Sequence, residues 1–253
     1  MTQVLWSGQR AVKVFSVLVP VLSPFELPVS VLLALWAPFP SSFGTAVIQG
    51  SNLPHHVAAP DGATVELDQW LVQMRPLRRV MALLPSPATP LVPSPQAMEA
   101  GQAVLVSGVQ DLVLVPEPQP GTLHWQVLEA AAPLPPLSSS QARRDVHQAT
   151  EEAISTLLEL DLARERPKLA DSLNDLVTAT LDPRLLPPGL ESRQRSLLER
   201  SLRLGAICDL VLQDDGAANT ISQANSRAQV LRPLLDAARR GVMAATDWWA
   251  RLP

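Results

Sequence analysis

The side chains able to do chemistry in this chain are few and scattered: His55, His56, His124 and His147, a single Cys208, and the carboxylate pairs Glu151-Glu152 and Asp214-Asp215. Adjacent histidines on an extended chain point to opposite sides, so His55 and His56 do not chelate one metal as an i, i+4 helical pair does. One cysteine makes neither an intrachain disulfide nor a cysteine-based zinc site. Beside Ile207 on the apolar side of a helix, Cys208 reads as a small buried hydrophobe. Sequence neighbours diverge around a helix, and Asp-Asp-Gly at a helix end is turn chemistry, so neither carboxylate pair reads as a catalytic dyad. A Gly-rich phosphate loop, HExxH, GxSxG and CxxC are all missing. No catalytic, cofactor-binding or metal-binding residue is therefore assigned, and no cofactor is expected. What remains is Arg203, Asp209 and Arg227, charges close to apolar helix faces. If buried they must be paired, because an isolated buried charge is very costly. They form either an ion-pair network that fixes helix register or the lining of a polar ligand pocket.

These three residues are carried by a helical hairpin over 196–240. Leu197, Leu204, Ile207 and Val211 recur at helical spacing, as do Ile221, Ala224, Ala228, Leu231 and Leu235 beyond the turn Asp214-Asp215-Gly216. Pro233 removes a backbone donor in the second helix and predicts a kink or a fresh start. Upstream, Ser138-Ser139-Ser140 caps a helix from Gln141 to about Ala163, and Lys168 to Thr180 forms another, ended by Pro183. The centre changes period. Arg79–Leu84, Ala103–Val106, Leu112–Val115 and Leu123–Leu128 are short Val- and Leu-rich runs, the last three spaced as an antiparallel meander. The stretch between the first two runs reads as an irregular proline-rich loop. Thr64–Met74 reads as a short amphipathic helix, Phe43–Gln49 as a shorter one, and Trp248-Trp249 as a tail packed onto the body.

Composition divides the chain. Of 25 prolines 19 precede residue 138, and residues 1–137 carry 5 basic and 8 acidic side chains against 15 and 16 in residues 138–253. A net charge of −4 with both signs interspersed gives no electrostatic footprint for nucleic acid. Arg75, Arg78 and Arg79 read as a solvated edge. Between Lys13 and Asp61 the only charge is Glu26, which raises a signal peptide or a membrane segment as possibilities. Pro20, Pro24, Pro28, Pro38 and Pro40 cut the region into pieces shorter than the roughly 20 residues of a span. Two short buried helices, around 11–22 and 28–37, are expected instead.

Leu84-Pro85-Ser86-Pro87, Glu99-Ala100-Gly101-Gln102-Ala103-Val104, Leu112-Val113-Leu114-Val115-Pro116-Glu117 and His124-Trp125-Gln126-Val127 follow one another in a familiar order. So do Leu160-Asp161-Leu162-Ala163-Arg164, Ser201-Leu202-Arg203-Leu204, Gln213-Asp214-Asp215-Gly216, Arg227 and Leu231-Arg232-Pro233-Leu234. From about residue 65 on, this resembles a group of uncharacterised actinobacterial proteins with no assigned activity. In those proteins the first strand runs into Pro-x-Pro-Gly-Asp-Pro, where this chain has Pro85-Ser86-Pro87-Ala88-Thr89-Pro90. The resemblance implies a bacterial cytoplasmic setting and the architecture.

The expected fold is α+β and predominantly helical, a C-terminal helical bundle (138–253) with a small antiparallel sheet in an N-terminal region (1–137), the two sharing a core. The expected function is a non-enzymatic interaction or regulatory protein whose partner is another protein. A small-molecule-binding protein or unfamiliar enzyme using Arg203, Asp209 and Arg227 is the second reading. Membrane association through the apolar N-terminus is the third.

Overall fold

The structure is a computed structural model that describes residues 27–50, 54–58, 63–87, 94–130, 133–159, 167–213 and 221–250. The helix expected around 11–22 lies outside these residues.

The central feature is one seven-stranded mixed sheet. Its strands are β1 (His55–Ala58), β2 (Thr64–Glu66), β3 (Arg79–Leu83), β4 (Ala103–Ser107), β5 (Asp111–Gln119), β6 (Thr122–Glu129) and β7 (Trp248–Trp249), in the order β2-β1-β6-β5-β4-β3-β7. The expectation of a small antiparallel sheet in mid-chain is thereby corrected. The three-stranded meander exists, but β3 joins one side of it and β1 the other, with β2 and β7 at the edges. β1 runs parallel to β6, and every other pair is antiparallel. Two of the added strands are too short to show a period, and β1 and β7 find their partners far away in sequence.

Physical necessity fixes the two faces. Val80, Ala82, Val104, Val106, Leu112, Leu114 and Trp125 belong to the main core, while Met81, Leu83, Ala103, Leu105, Val113 and Val115 form a second one on the opposite side. Strands buried on both faces read as continuous apolar runs, as these do. The second core is closed by α4 (Pro95–Ala100) and the 133–137 segment through Ala97, Ala100, Leu134 and Leu137. α4 occupies part of the stretch read as an irregular loop. Ser94 Oγ accepts from Ala97 N at 3.3 Å, Pro95 stands at the first helical position, and Gly101 ends the helix at φ 63°. At the β5–β6 hairpin Gly121 supplies a φ of 77° where the chain reverses.

The main core is closed by α1 (Val29–Trp36) and α8 (Ile221–Thr246), which lie on β3, and by α3 (Leu67–Gln73) near β1 and β2. Thr64–Glu66 therefore belongs to a strand and only the residues after it to the expected helix. α2 (Ser42–Gln49) is capped by Ser41, whose Oγ accepts from Gly44 N at 3.0 Å. α5 (Ser139–Glu159) and α7 (Ser192–Gln213) pack on α8 and on each other, and α6 (Pro167–Thr178) leans on α7. The expected hairpin is α7 and α8. α8 runs as one helix through Pro233, so there is no fresh start.

Candidate functional site

The functional site must be sought around α7, because it carries two of the three charges singled out above. Arg203 faces the end of α6. Its Nε donates to Leu176 O at 3.2 Å and its Nη2 to Ala179 O at 2.6 Å, while Glu199 one turn earlier stands 3.8 Å from Nη2. The last carbonyls of a helix have no partner of their own, and a cation there is also favoured by the helix dipole. Arg203 thus caps α6. Asp209 lies more than a turn further on and on a different side of α7. It is exposed, yet the surrounding chain excludes enough water to push its carboxyl above the usual range, against the pull of Arg239 on α8. Exposure keeps that effect small. The structure therefore does not bring Arg203 and Asp209 together. Arg227 lies on α8, and its side chain is outside the described residues.

Arg203 does line something, a groove of about 320 Å³ between α5 and α7. Val146, Ala153 and Leu204 are buried along it, Ile207 is half-buried, and Ile154 is 55% exposed at its side. His147, Thr150 and Arg200 complete the lining. Helix periodicity builds this arrangement: 146, 150, 153 and 154 share one face of α5, and 200, 203, 204 and 207 one face of α7. His147 is 3.6 Å from Glu151, whereas Arg200 is exposed and enters no ion pair among the described residues. An apolar trough with a cationic edge can hold an amphipathic segment bearing carboxylates. It offers neither a nucleophile beside a base nor a set of oxyanion donors.

Two polar centres escaped the reading of the sequence. Arg79, expected at a solvated edge, is 4% exposed and holds Asp247 through Nε–Oδ1 at 2.7 Å and Nη2–Oδ2 at 2.9 Å. It also donates to Leu134 O and Pro135 O, and Trp249 lies over its guanidinium at 4.4 Å. Strand alternation was the available signal, since it places Arg79 on the face of Met81 and Leu83. The second centre is His55, 3% exposed, with its ring 5.9 Å from that of Trp125. Among the described residues its Nδ1 and the Trp125 Nε1 have no hydrogen-bond partner. Burial, with a smaller contribution from the charge of His56, pushes the His55 pKa down to about 4. Burial, with a smaller contribution from Asp209, likewise pushes the Cys208 thiol up to about 12, so it is inert at neutral pH.

Among the described residues no three His, Cys, Asp or Glu side chains are placed to hold a metal ion, and no helix is long and apolar enough to cross a membrane. Neither the curated proteins nor the solved structures contain a match to the chain. Two family models do match: the N-terminal domain of Rv1486c-like protein over residues 41–141 and the C-terminal domain of Rv1486c-like protein over residues 140–243. The matches run on from each other through the linker before α5, and together they cover most of the chain. The protein belongs to the Rv1486c-like family, an uncharacterised group to which no function is assigned.

Proposed function

We propose that the protein is a non-enzymatic interaction module of a bacterial cytoplasm, and that the α5–α7 groove receives an amphipathic, carboxylate-bearing helix of a partner protein. The observation carrying this reading is the groove itself, an apolar floor of Val146, Ala153 and Leu204 with Ile154 exposed beside it and Arg200 unpaired at its edge. Helix-in-groove recognition uses apolar anchors at i, i+3, i+4 and i+7, with charges at the rim setting partner choice. The alternative of a metabolite pocket needs convergent free donors, and Arg203 has committed its Nε and Nη2 to carbonyls of the α6 end.

The test compares the wild type with Ile154→Asp and Arg200→Glu, each checked by thermal melting for an unchanged fold. Proteins recovered from native host lysate are then quantified. The expected result is a stoichiometric partner on the wild type, depleted about ten-fold or more on both variants, as loss of a central apolar anchor or an opposed charge costs at least about 1.4 kcal/mol. Equal recovery on all three proteins, or a bound metabolite in place of a partner, would overturn the reading.

A further inference from the structure

Two histidines that sequence order separates are neighbours across the sheet. His56 on β1 lies in register with His124 on β6, their ring centroids 5.5 Å apart and tilted at 44°. The row continues on both sides, because His56 is also opposite Glu66 on β2 and His124 opposite Glu117 on β5. Directly opposed residues on paired strands project to the same face, with Cβ atoms about 5 Å apart. The order across four strands is therefore carboxylate, imidazole, imidazole, carboxylate, with both histidines half-buried and both glutamates exposed.

The hydrogen bonds prepare one of these rings for a metal. Thr122 Oγ1 donates its only proton to Pro54 O at 2.7 Å, so at 2.9 Å from His56 Nδ1 it accepts. Nδ1 then carries the proton, and the neutral ring presents its lone pair at Nε2. Metal-ligating histidines are held in this way, with the far nitrogen donating to an oxygen that fixes tautomer and orientation. Gln126 Nε2 donates to Glu117 Oε2 at 3.1 Å and steadies that carboxylate. Among the described residues neither Nε2 of His56 nor either ring nitrogen of His124 has a hydrogen-bond partner.

We propose that His56 and His124 bind a divalent first-row cation of the kind imidazole prefers, Cu²⁺, Ni²⁺ or Zn²⁺. Among the described residues no third ligand converges with them, so water completes the sphere and the two flanking glutamates supply opposing charge. Metal–nitrogen bonds are about 2.0–2.1 Å for zinc, so the His124 ring turns about its side-chain bonds to bring a nitrogen onto the ion at His56 Nε2. The site is open, and it takes Cu²⁺ most tightly of the three, following the general order of divalent affinities. His55 faces the other side of the sheet, buried against Trp125, and takes no part.

The test is calorimetric titration of the full-length protein, carrying no histidine tag, with CuCl₂, NiCl₂ and ZnCl₂ after treatment with chelator. One equivalent is expected, weakened about ten-fold or more by His124→Gln and by His56→Gln and unchanged by His147→Gln. Thr122→Val releases the tautomer and weakens binding about ten-fold while the His124 ring still responds. Nitrogen-15 spectra of the wild-type imidazoles give a readout that does not depend on variants folding: Zn²⁺ must shift Nε2 of His56 together with a ring nitrogen of His124. Shifts confined to His147 or to the N-terminal amine, or wild-type affinity in His124→Gln, would overturn the site.

Discussion

His55 shows how one buried side chain sets a solution property. Its backbone belongs to β1, and strand alternation turns it into the core beside Trp125 while His56 faces the other side. The neutral ring is accommodated there and the charged ring is not, which brings its pKa in the fold to about 4 from an ordinary 6.5. Below pH 6.5 the unfolded chain takes up a proton at this residue that the folded chain refuses, so folding stability falls as pH drops. The loss levels off below pH 4, where both states are protonated. Complete, it amounts to roughly 3 kcal/mol. Asp209, with its carboxyl raised, works in the opposite direction, so the measurement is a difference within one background. Urea unfolding of wild type and His55→Phe at pH 4.5 and 7.5 should show a larger acid loss for the wild type, most of that excess vanishing in the variant. Equal losses would mean that His55 ionises freely in the folded protein.

At the scale of elements the decisive contact is the meeting of α5, α7 and α8. Gly241 on α8 sits where an added Cβ would stand 2.1 Å from Ser201 Oγ and 2.7 Å from Val146 Cγ2. Ser201 is fully buried, with Oγ donating to Leu197 O at 2.7 Å. Three helices from separate parts of the chain converge on this one point, so Gly241→Ala must push them apart. The expected cost is about 2–3 kcal/mol by chemical denaturation. Ser201→Ala in the same chain should recover part of it, leaving the Val146 clash, and strict additivity of the two changes would contradict shared crowding. The periodicity that makes these helices was plain in the sequence, whereas α4, with its Ser94-Pro95 start and Gly101 stop, reads there as part of a loop because of its proline content. What the sequence did not show is where each helix face ends up. Arg203 and Asp209 stand six residues apart on one helix and so face different sides, while the packing of α7 on α6, through contacts distant in sequence, decides that Arg203 caps carbonyls. β1 and β7 were hidden for the same reason, being four and two residues long with their partners on β6 and β3.

Over the whole molecule one ion pair ties the residue after α8 to β3 and to the linker before α5. Arg79 opens β3 within the region matched by the N-terminal family model, and Asp247 stands four residues beyond the C-terminal match, which ends at 243. Their side chains are 5% and 3% exposed. The pair also holds the linker between the two regions, since Arg79 donates to Leu134 O and Pro135 O, and Leu137 N donates to Asp247 Oδ2 at 3.1 Å. Linker, β3 and the residue after α8 therefore share one buried electrostatic joint. A buried pair of this kind adds little net stability over an apolar replacement, but losing one member strands the other, at about 3–5 kcal/mol. Asp247→Asn should thus destabilise the protein by about 3 kcal/mol or more and expose the 133–138 part of the linker to proteolysis under native conditions. Arg79→Met combined with Asp247→Asn should be more stable than Asp247→Asn alone, because the stranded charge is gone. We expect both regions of the wild type to unfold in a single calorimetric transition, since this joint and the main core each draw residues from both. In Asp247→Asn the linker should become cleavable before either region melts. If the linker stays protected and the melting temperature does not move, the joint carries no part of the coupling, and the apolar contacts of α1 and α8 on β3 carry all of it.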